Sequence, residues 1–168
     1  MPEPTAAQFR LVMAHVPTSV AIVAGLDDGS PRGLSVGTFV PVSLQPALVG
    51  FFVARTSTSW PPIGRSGSFC VSVLGDQQAS LSSRFALSDI DKFAGVDWRP
   101  GPYGNPVLLG AVAWVDCLVD KQVETGDHML VLGRVRDMGV ETGGAPLLHH
   151  RSAYGRMADR ADEDPLLD

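Results

Sequence analysis

The chain has 168 residues, the length of one domain that buries about 70% of the surface exposed by its unfolded chain. Its formal net charge is −5 and its basic residues are scattered, so it lacks the lysine and arginine stripe with which proteins bind nucleic acid. No run approaches the roughly 20 apolar residues of a membrane span, and the first residues lack the pattern of a secretory signal, so we expect a cytoplasmic protein.

The first predicted elements are a helix and a β-hairpin. Thr5 is a suitable N-cap, apolar residues follow at helical spacing as far as Val16, and Pro17 ends the helix. The β-branched run 19–24 predicts a strand, and the Asp-Gly sequence within 26–30 is typical of a hairpin turn.

The middle of the chain alternates between strands and short helices. Two strands are predicted over 34–42 and 47–54, and the Trp-Pro-Pro sequence at 60–62 suits the first turn of a short helix. The apolar run 69–74 predicts a buried strand, and 77–85 has helical character.

The last part of the chain carries two long apolar runs, 111–119 and 129–135, joined through a Gly-Asp-His sequence at 126–128. Many short strands punctuated by Gly and Pro, with few helices, predict one mainly β (α+β) domain over residues 1–158, built on an antiparallel barrel. The acidic tail 159–168 has few large apolar groups, so we expect it to be disordered.

His128 stands at the first step of the returning strand, directly after the predicted Gly-Asp turn. An imidazole there is a donor, an acceptor and a potential cation held on a rigid element. Its position is equally that of a packed strand residue, so the local pattern leaves both interpretations open.

Three polar clusters interrupt the apolar framework. In 33–39, small residues and hydroxyl groups either admit a flat ligand or form an edge strand with a bulge. In 55–59, four hydroxyl groups and an arginine either cradle a phosphate or cap the next helix. In 82–86, an arginine at a helix end is either a second ligand-binding cation or solvated surface.

Cys70 and Cys117 each lie in an apolar run, and neither belongs to a Cys-x-x-Cys pair or a Cys/His cluster. We therefore expect two buried thiols in a reduced compartment, and no metal site.

Taken in order, these pieces resemble the short-chain flavin reductases, the type that supplies reduced flavin to two-component monooxygenases. The motifs that carry the resemblance extend over most of the chain and are Pro-Thr-Ser-Val-Ala-Ile-Val at 17–23, Gly-Leu-Ser-Val-Gly-Thr-Phe at 33–39, Val-Ser-Leu-Gln-Pro at 42–46, Ser-Thr-Ser-Trp at 57–60, Arg-Phe-Ala at 84–86, Gly-Asn-Pro-Val-Leu at 104–108, Gly-Asp-His at 126–128 and Pro-Leu-Leu at 146–148.

This resemblance implies an FMN-binding split β-barrel, antiparallel and with short flanking helices, that works as a homodimer. The implied reaction is hydride transfer from NADH or NADPH to FMN, with FAD as the other candidate flavin. A flavin-dependent monooxygenase is the implied partner that consumes the reduced flavin. The enzyme class is thus an NAD(P)H-dependent flavin reductase.

The resemblance also implies the residues of the site. Those that line the flavin ring are Leu34, Ser35, Val36, Gly37 and Thr38. Those that surround its ribityl-phosphate are Ser57, Ser59, Ser83 and Arg84, and the remaining cofactor-binding residues are Ser43, Arg55, Thr58 and Phe85. His128 is expected to face the nicotinamide as the catalytic residue, and Tyr154 to close that side.

Two other functions stay open on the sequence. The chain is alternatively a flavoprotein that keeps its FMN and acts directly on an organic substrate, or a flavin-binding module without turnover. The colour of the purified protein and its NADH oxidation with and without added flavin separate the three.

Overall fold

A computed structural model describes residues 3–141 and 144–157, so the predicted acidic tail lies outside the described residues. Short helices flank a mainly β structure. In chain order the elements are α1 (Ala6–Met13), β1 (Thr18–Ser19), β2 (Ala21–Asp27), β3 (Ser30–Val36), β4 (Val40–Leu44), β5 (Ala47–Ala54), α2 (Trp60–Ser66), β6 (Ser68–Val73), a short 3-10 helix (Asp76–Gln78), α3 (Ala79–Phe85), β7 (Trp98–Pro100), β8 (Pro106–Leu108), β9 (Ala113–Thr125), β10 (His128–Val140), β11 (Leu147–His150) and β12 (Ala153–Arg156).

The predicted start of the fold is confirmed. Thr5 Oγ1 accepts from the Gln8 backbone N–H at 3.2 Å, and Gln8 Oε1 accepts from the Thr5 N–H at 2.9 Å, which together form a capping box. The following hairpin turns at Asp28 and Gly29, whose φ angles of 48° and 78° belong to the left-handed region that such tight turns require.

Seven antiparallel strands form the main sheet in the order β3-β2-β6-β9-β10-β5-β4. The mainly β, antiparallel prediction is therefore confirmed. Within the described residues the two edge strands, β3 and β4, do not pair with each other, so the sheet is not a closed barrel.

The strand predicted over 34–42 is wrong, because β3 and β4 are two strands separated by residues 37–39. A Cβ at Gly37 would lie 3.0 Å from Thr18 Oγ1, so a larger residue there would press on the Thr18 side chain. Thr38 Oγ1 accepts from the Phe52 backbone N–H at 2.9 Å and donates to the Phe52 carbonyl at 3.3 Å. One hydroxyl thus links this break to β5 in place of a strand ladder.

Two apolar layers cover the two faces of β2. On one face Val23 joins the edge-to-face rings of Phe51, Trp60 and Phe69, whose centroids lie 5.3 to 5.9 Å apart. On the other face lies the fully buried ring of Phe85 from α3. Burying such a side chain contributes about 1.5–3 kcal/mol. Helices as short as α2 and α3 are unstable in isolation, so the packing of their aromatic side chains stabilises them.

The two cysteines are free and fully buried on neighbouring strands. Burial raises the pKa of the Cys117 thiol to about 12 and raises that of Cys70 as well. Both therefore remain thiols at neutral pH and pack as small apolar residues. None of the helices in the described part of the chain is long and apolar enough to cross a membrane.

Candidate functional site

A groove of about 430 Å³ runs along the edge strand β3 and faces the end of β5. We call it the edge groove. Ten of its lining residues were predicted from the sequence as site residues, and they are Leu34, Ser35, Val36, Gly37, Thr38, Ser57, Thr58, Ser59, Phe85 and His128. Eight more were not predicted, and they are Phe52, Val53, Ala54, Thr56, Ala86, Leu87, Ser88 and Lys92.

β3 offers the groove an unpaired strand edge. It pairs with β2 on one side, and among the described strands it has no partner on the other. The backbone N–H and C=O groups on that side are thus available to a planar ligand with polar edges. Leu34 and Val36 pack into the apolar layer beneath, and Ser35 lies 3.0 Å from Ser82 Oγ on α3. The edge-strand interpretation of this segment is confirmed, although its pairing with β2 has no bulge, and the binding of a flat ligand there stays a prediction.

The hydroxyl loop, residues 57–59, closes one end of the groove. Ser57 Oγ accepts from the Trp60 backbone N–H at 3.2 Å, which caps α2. Ser59 Oγ accepts from Lys92 Nζ at 2.8 Å. Since a hydroxyl has one hydrogen and Lys92 only donates, the Ser59 hydrogen is left for another acceptor. The loop therefore both caps the helix and presents donors to the groove.

Lys92 is the one side chain with a full positive charge among the groove-lining residues. Besides Ser59 it donates to the carbonyls of Gly33 and Phe85, at 3.2 and 2.9 Å. Burial lowers the pKa of Lys92, because it disfavours the charged form. The sequence did not point to this residue, since it lies in a polar loop, far along the chain from Ser59, and belongs to no local motif.

His128 lines the groove at the start of β10. Its Nδ1 donates to Asp127 Oδ1 at 2.7 Å, and this bond holds the pKa of Asp127 below its usual range. The pairing assigns Nδ1 to the carboxylate and leaves Nε2 as the ring nitrogen available to a ligand. The Arg55 backbone N–H donates to the Asp127 carbonyl at 3.0 Å, which ties this turn to the chain just before the hydroxyl loop.

Five predicted site residues do not line the edge groove in the described chain. Ser43 lies on β4, beside an irregularity in its pairing with β5. Arg55 is exposed and its guanidinium lies 3.7 Å from Glu124, because the strand end turns its side chain toward β9. Their predicted contacts with a cofactor in this groove are not supported by their positions.

The other three lie around α3, outside the lining of the groove. Ser83 Oγ donates to the Ala79 carbonyl at 3.2 Å, and Arg84 Nη2 donates to the Asp91 carbonyl at 3.0 Å. Tyr154 Oη donates to Ser82 Oγ at 2.9 Å. Consecutive residues of a helix point about 100° apart, so Ser83 and Arg84 project away from the face that packs Phe85 under the groove, and their sequence proximity to Phe85 was misleading.

A second cavity, of about 790 Å³, adjoins the edge groove. The two share Ser57, Thr58, Ser59 and Lys92 as lining residues. The walls of the second cavity combine charged groups of both signs with apolar groups, namely Arg32, Arg65, Asp27, Asp89, Asp91, Pro61, Pro62, Ile90 and Phe93. It therefore extends the groove beyond the hydroxyl loop with space for an additional, partly apolar group.

The chain matches a family model described as "Flavin reductase like domain" over residues 13–158. It is 47% identical over 151 residues to a flavin reductase of Pseudomonas putida, covering 89% of each chain. It is 42% identical over 147 residues to the reductase subunit of a flavin-dependent monooxygenase of Rhodococcus jostii, covering 88% of this chain and 75% of that one.

A solved structure with the same fold is an NADH:FAD oxidoreductase of Streptomyces globisporus in complex with NAD and FAD fragments. The two chains superpose with a TM-score of 0.88 at 32% identity, covering 96% of this chain and 99% of that one.

Proposed function

Because the chain belongs to the flavin reductase-like domain family, we propose that it transfers a hydride from NADH or NADPH to a flavin held in the edge groove. The family membership and the flavin reductase activity class that the sequence resemblance implied are confirmed. The observation that carries the proposed site is that Leu34 to Thr38, the hydroxyl loop and His128 come from three distant parts of the chain and line one groove.

The flavin ring is proposed to lie along β3, whose unpaired backbone groups match the polar edges of the ring. The flavin supplies the hydride-accepting ring, and the protein supplies orientation and exclusion of water. Thr38 is proposed to donate to the flavin through its backbone N–H, because its hydroxyl hydrogen is given to the Phe52 carbonyl.

The phosphate is proposed to lie at the hydroxyl loop. Ser59 can donate its hydrogen to a phosphate oxygen while it accepts from Lys92, and Thr58 is exposed on the same loop. Lys92 places a positive charge one hydrogen bond away, which compensates a dianion. The second cavity gives the adenylate half of FAD room beyond the phosphate, so we expect both FMN and FAD to bind.

The nicotinamide is proposed to stack on the exposed side of the flavin, beside His128. Its Nε2 is the ring nitrogen left available by the Asp127 bond. We assign His128 the orientation of the nicotinamide rather than a proton transfer, because hydride transfer between two stacked rings depends on geometry.

The finer architecture is proposed to be a split barrel that works as a homodimer. β3 and β4 leave the sheet open at the groove, and a two-fold partner is a common way to cover such an opening. α1 and β4 expose apolar side chains that such a partner would bury, and these are Phe9, Leu11, Val12, Val40, Val42 and Leu44. Light scattering should give twice the chain mass, and a monomer with full activity would contradict this proposal.

The reduced flavin is proposed to pass to a partner monooxygenase, since a relative at 42% identity is the reductase subunit of such a system. The test is NADH oxidation by the purified chain with FMN, FAD or no added flavin. Strong stimulation by added flavin supports a reductase with diffusible flavin. A folded chain that oxidises neither NADH nor NADPH with any flavin would refute it.

A further inference from the structure

Three hydroxyl groups connect the edge groove to the C-terminal hairpin of β11 and β12. Tyr154 Oη donates to Ser82 Oγ at 2.9 Å, and Ser82 Oγ lies 3.0 Å from Ser35 Oγ. Ser35 lines the groove, Ser82 is 4% exposed, and Tyr154 reaches the surface at 40% exposure. The three come from β12, α3 and β3, so only the tertiary fold brings them into line.

Burial of Ser82 fixes the direction of these hydrogen bonds. Tyr154 occupies one lone pair of the Ser82 hydroxyl. Within the part of the chain that the structure describes, Ser35 Oγ is the acceptor in reach of the Ser82 hydrogen. A buried donor without an acceptor is unfavourable, so Ser82 donates to Ser35. The Ser35 hydrogen cannot then point back to Ser82 and is directed to the groove.

We propose that Tyr154 is a positioning residue for the flavin: acting through Ser82, it makes the Ser35 hydroxyl a hydrogen-bond donor to an acceptor atom of the flavin ring. This inference rests on the proposed function. Tyr154 does not line the edge groove itself, and it acts at the ring end of the ligand. Tyr154 also holds the Ser82 hydroxyl in the rotamer that faces Ser35. Without the Tyr154 donor, the Ser82 hydroxyl can rotate and donate to a carbonyl of the preceding turn of α3, as serines in helices do. Ser35 then receives no hydrogen bond from Ser82, and its own hydrogen is no longer directed to the groove.

The test is Tyr154→Phe, which keeps the ring that packs at 5.6 Å from His149 and removes only the hydroxyl. Tyr103→Phe is the matched control, because Tyr103 is the other tyrosine of the chain and lies under Arg136, away from the groove. Binding is measured by quenching of flavin fluorescence, separately for FMN and riboflavin. We expect Tyr154→Phe to raise both Kd values about three- to tenfold, and the control to leave them unchanged.

A double-mutant cycle separates this role from simple packing of the hairpin. Ser35→Ala removes the proposed donor, so adding Tyr154→Phe to it should cause no further loss of affinity. A loss that persists in the Ser35→Ala background would assign Tyr154 to packing and overturn the inference.

The outcomes also separate this inference from the proposed function. If the unmodified chain bound neither flavin, both would be overturned. If it bound both and Tyr154→Phe bound them equally tightly, the inference alone would be overturned. An equal effect on FMN and riboflavin is expected, because the contact is at the ring; an effect on FMN alone would place Tyr154 with the phosphate and contradict it.

Discussion

Replacing Lys92 by Met tests the phosphate site most sharply, because the substitution keeps the aliphatic length and removes the charge. Lys92 Nζ lies 2.8 Å from Ser59 Oγ, so a phosphate oxygen bound by Ser59 would lie about 4–5 Å from the charge. Two opposite unit charges at that distance attract each other by about 1 kcal/mol at the dielectric constant of water and by about 4 kcal/mol at that of a protein surface. Lys92 is partly exposed, and solvent screening therefore favours the lower half of that range.

We expect Lys92→Met to raise the Kd for FMN about 5- to 30-fold, which corresponds to about 1–2 kcal/mol. Riboflavin lacks the phosphate, so its Kd should change far less. Lys121→Met is the matched control, since Lys121 is the other lysine of the chain and is exposed on β9. Equal losses for FMN and riboflavin would refute the electrostatic reasoning.

The same lysine predicts a pH dependence. Burial lowers the pKa of Lys92, so between that lowered value and the ordinary lysine value the unfolded chain binds more protons than the folded one. The free energy of unfolding should therefore rise with pH in this window, while the phosphate contribution to FMN binding falls. Melting and FMN titrations across the window, repeated with Lys92→Met, should show both trends only in the unmodified chain.

The remaining predictions concern the nicotinamide side and the core. His128→Ala should raise the KM for the nicotinamide or lower kcat with little change in flavin Kd; a lower melting temperature with intact kinetics would make His128 a packed strand residue. Because the hydrogen bond to His128 lowers the pKa of Asp127, the interaction between the two side chains is lost as the pH falls through that lowered pKa. The imidazole NMR shifts of the unmodified chain should show a step at this acid pH, and those of Asp127→Asn should not. Gly133→Ala should destabilise the fold by about 1–3 kcal/mol, because the new Cβ would lie 2.5 Å from Phe69 Cζ, whereas Gly155→Ala meets nothing within 4 Å and should melt normally.

Local patterns were sufficient for the elements that local chemistry determines. The capping box at Thr5, the Asp28-Gly29 turn and the long hairpin before His128 follow from residues adjacent in the chain. The same holds for the helix-capping interpretation of the hydroxyl loop, whereas its contact with a phosphate stays a prediction. For these elements the sequence alone predicted position and type.

Contacts between residues far apart in the chain leave no local pattern in the sequence, so they could not be predicted from it. Lys92 meets Ser59 across 33 residues, and Tyr154 meets Ser82 across 72. The close approach of Gly37 to the Thr18 side chain is likewise a contact that no spacing in the sequence reveals. Ser83 and Arg84 lie outside the lining of the groove for the related reason that neighbours along a helix point to different sides.

The proposed flavin reductase activity is tested by NADH oxidation by the purified chain, with the bound flavin quantified in the same preparation. We predict a chain with little retained flavin whose NADH oxidation rises strongly on addition of FMN or FAD, and falls when His128 is replaced by Ala. A folded preparation that binds flavin in the edge groove but oxidises neither NADH nor NADPH, with FMN or with FAD, would contradict it.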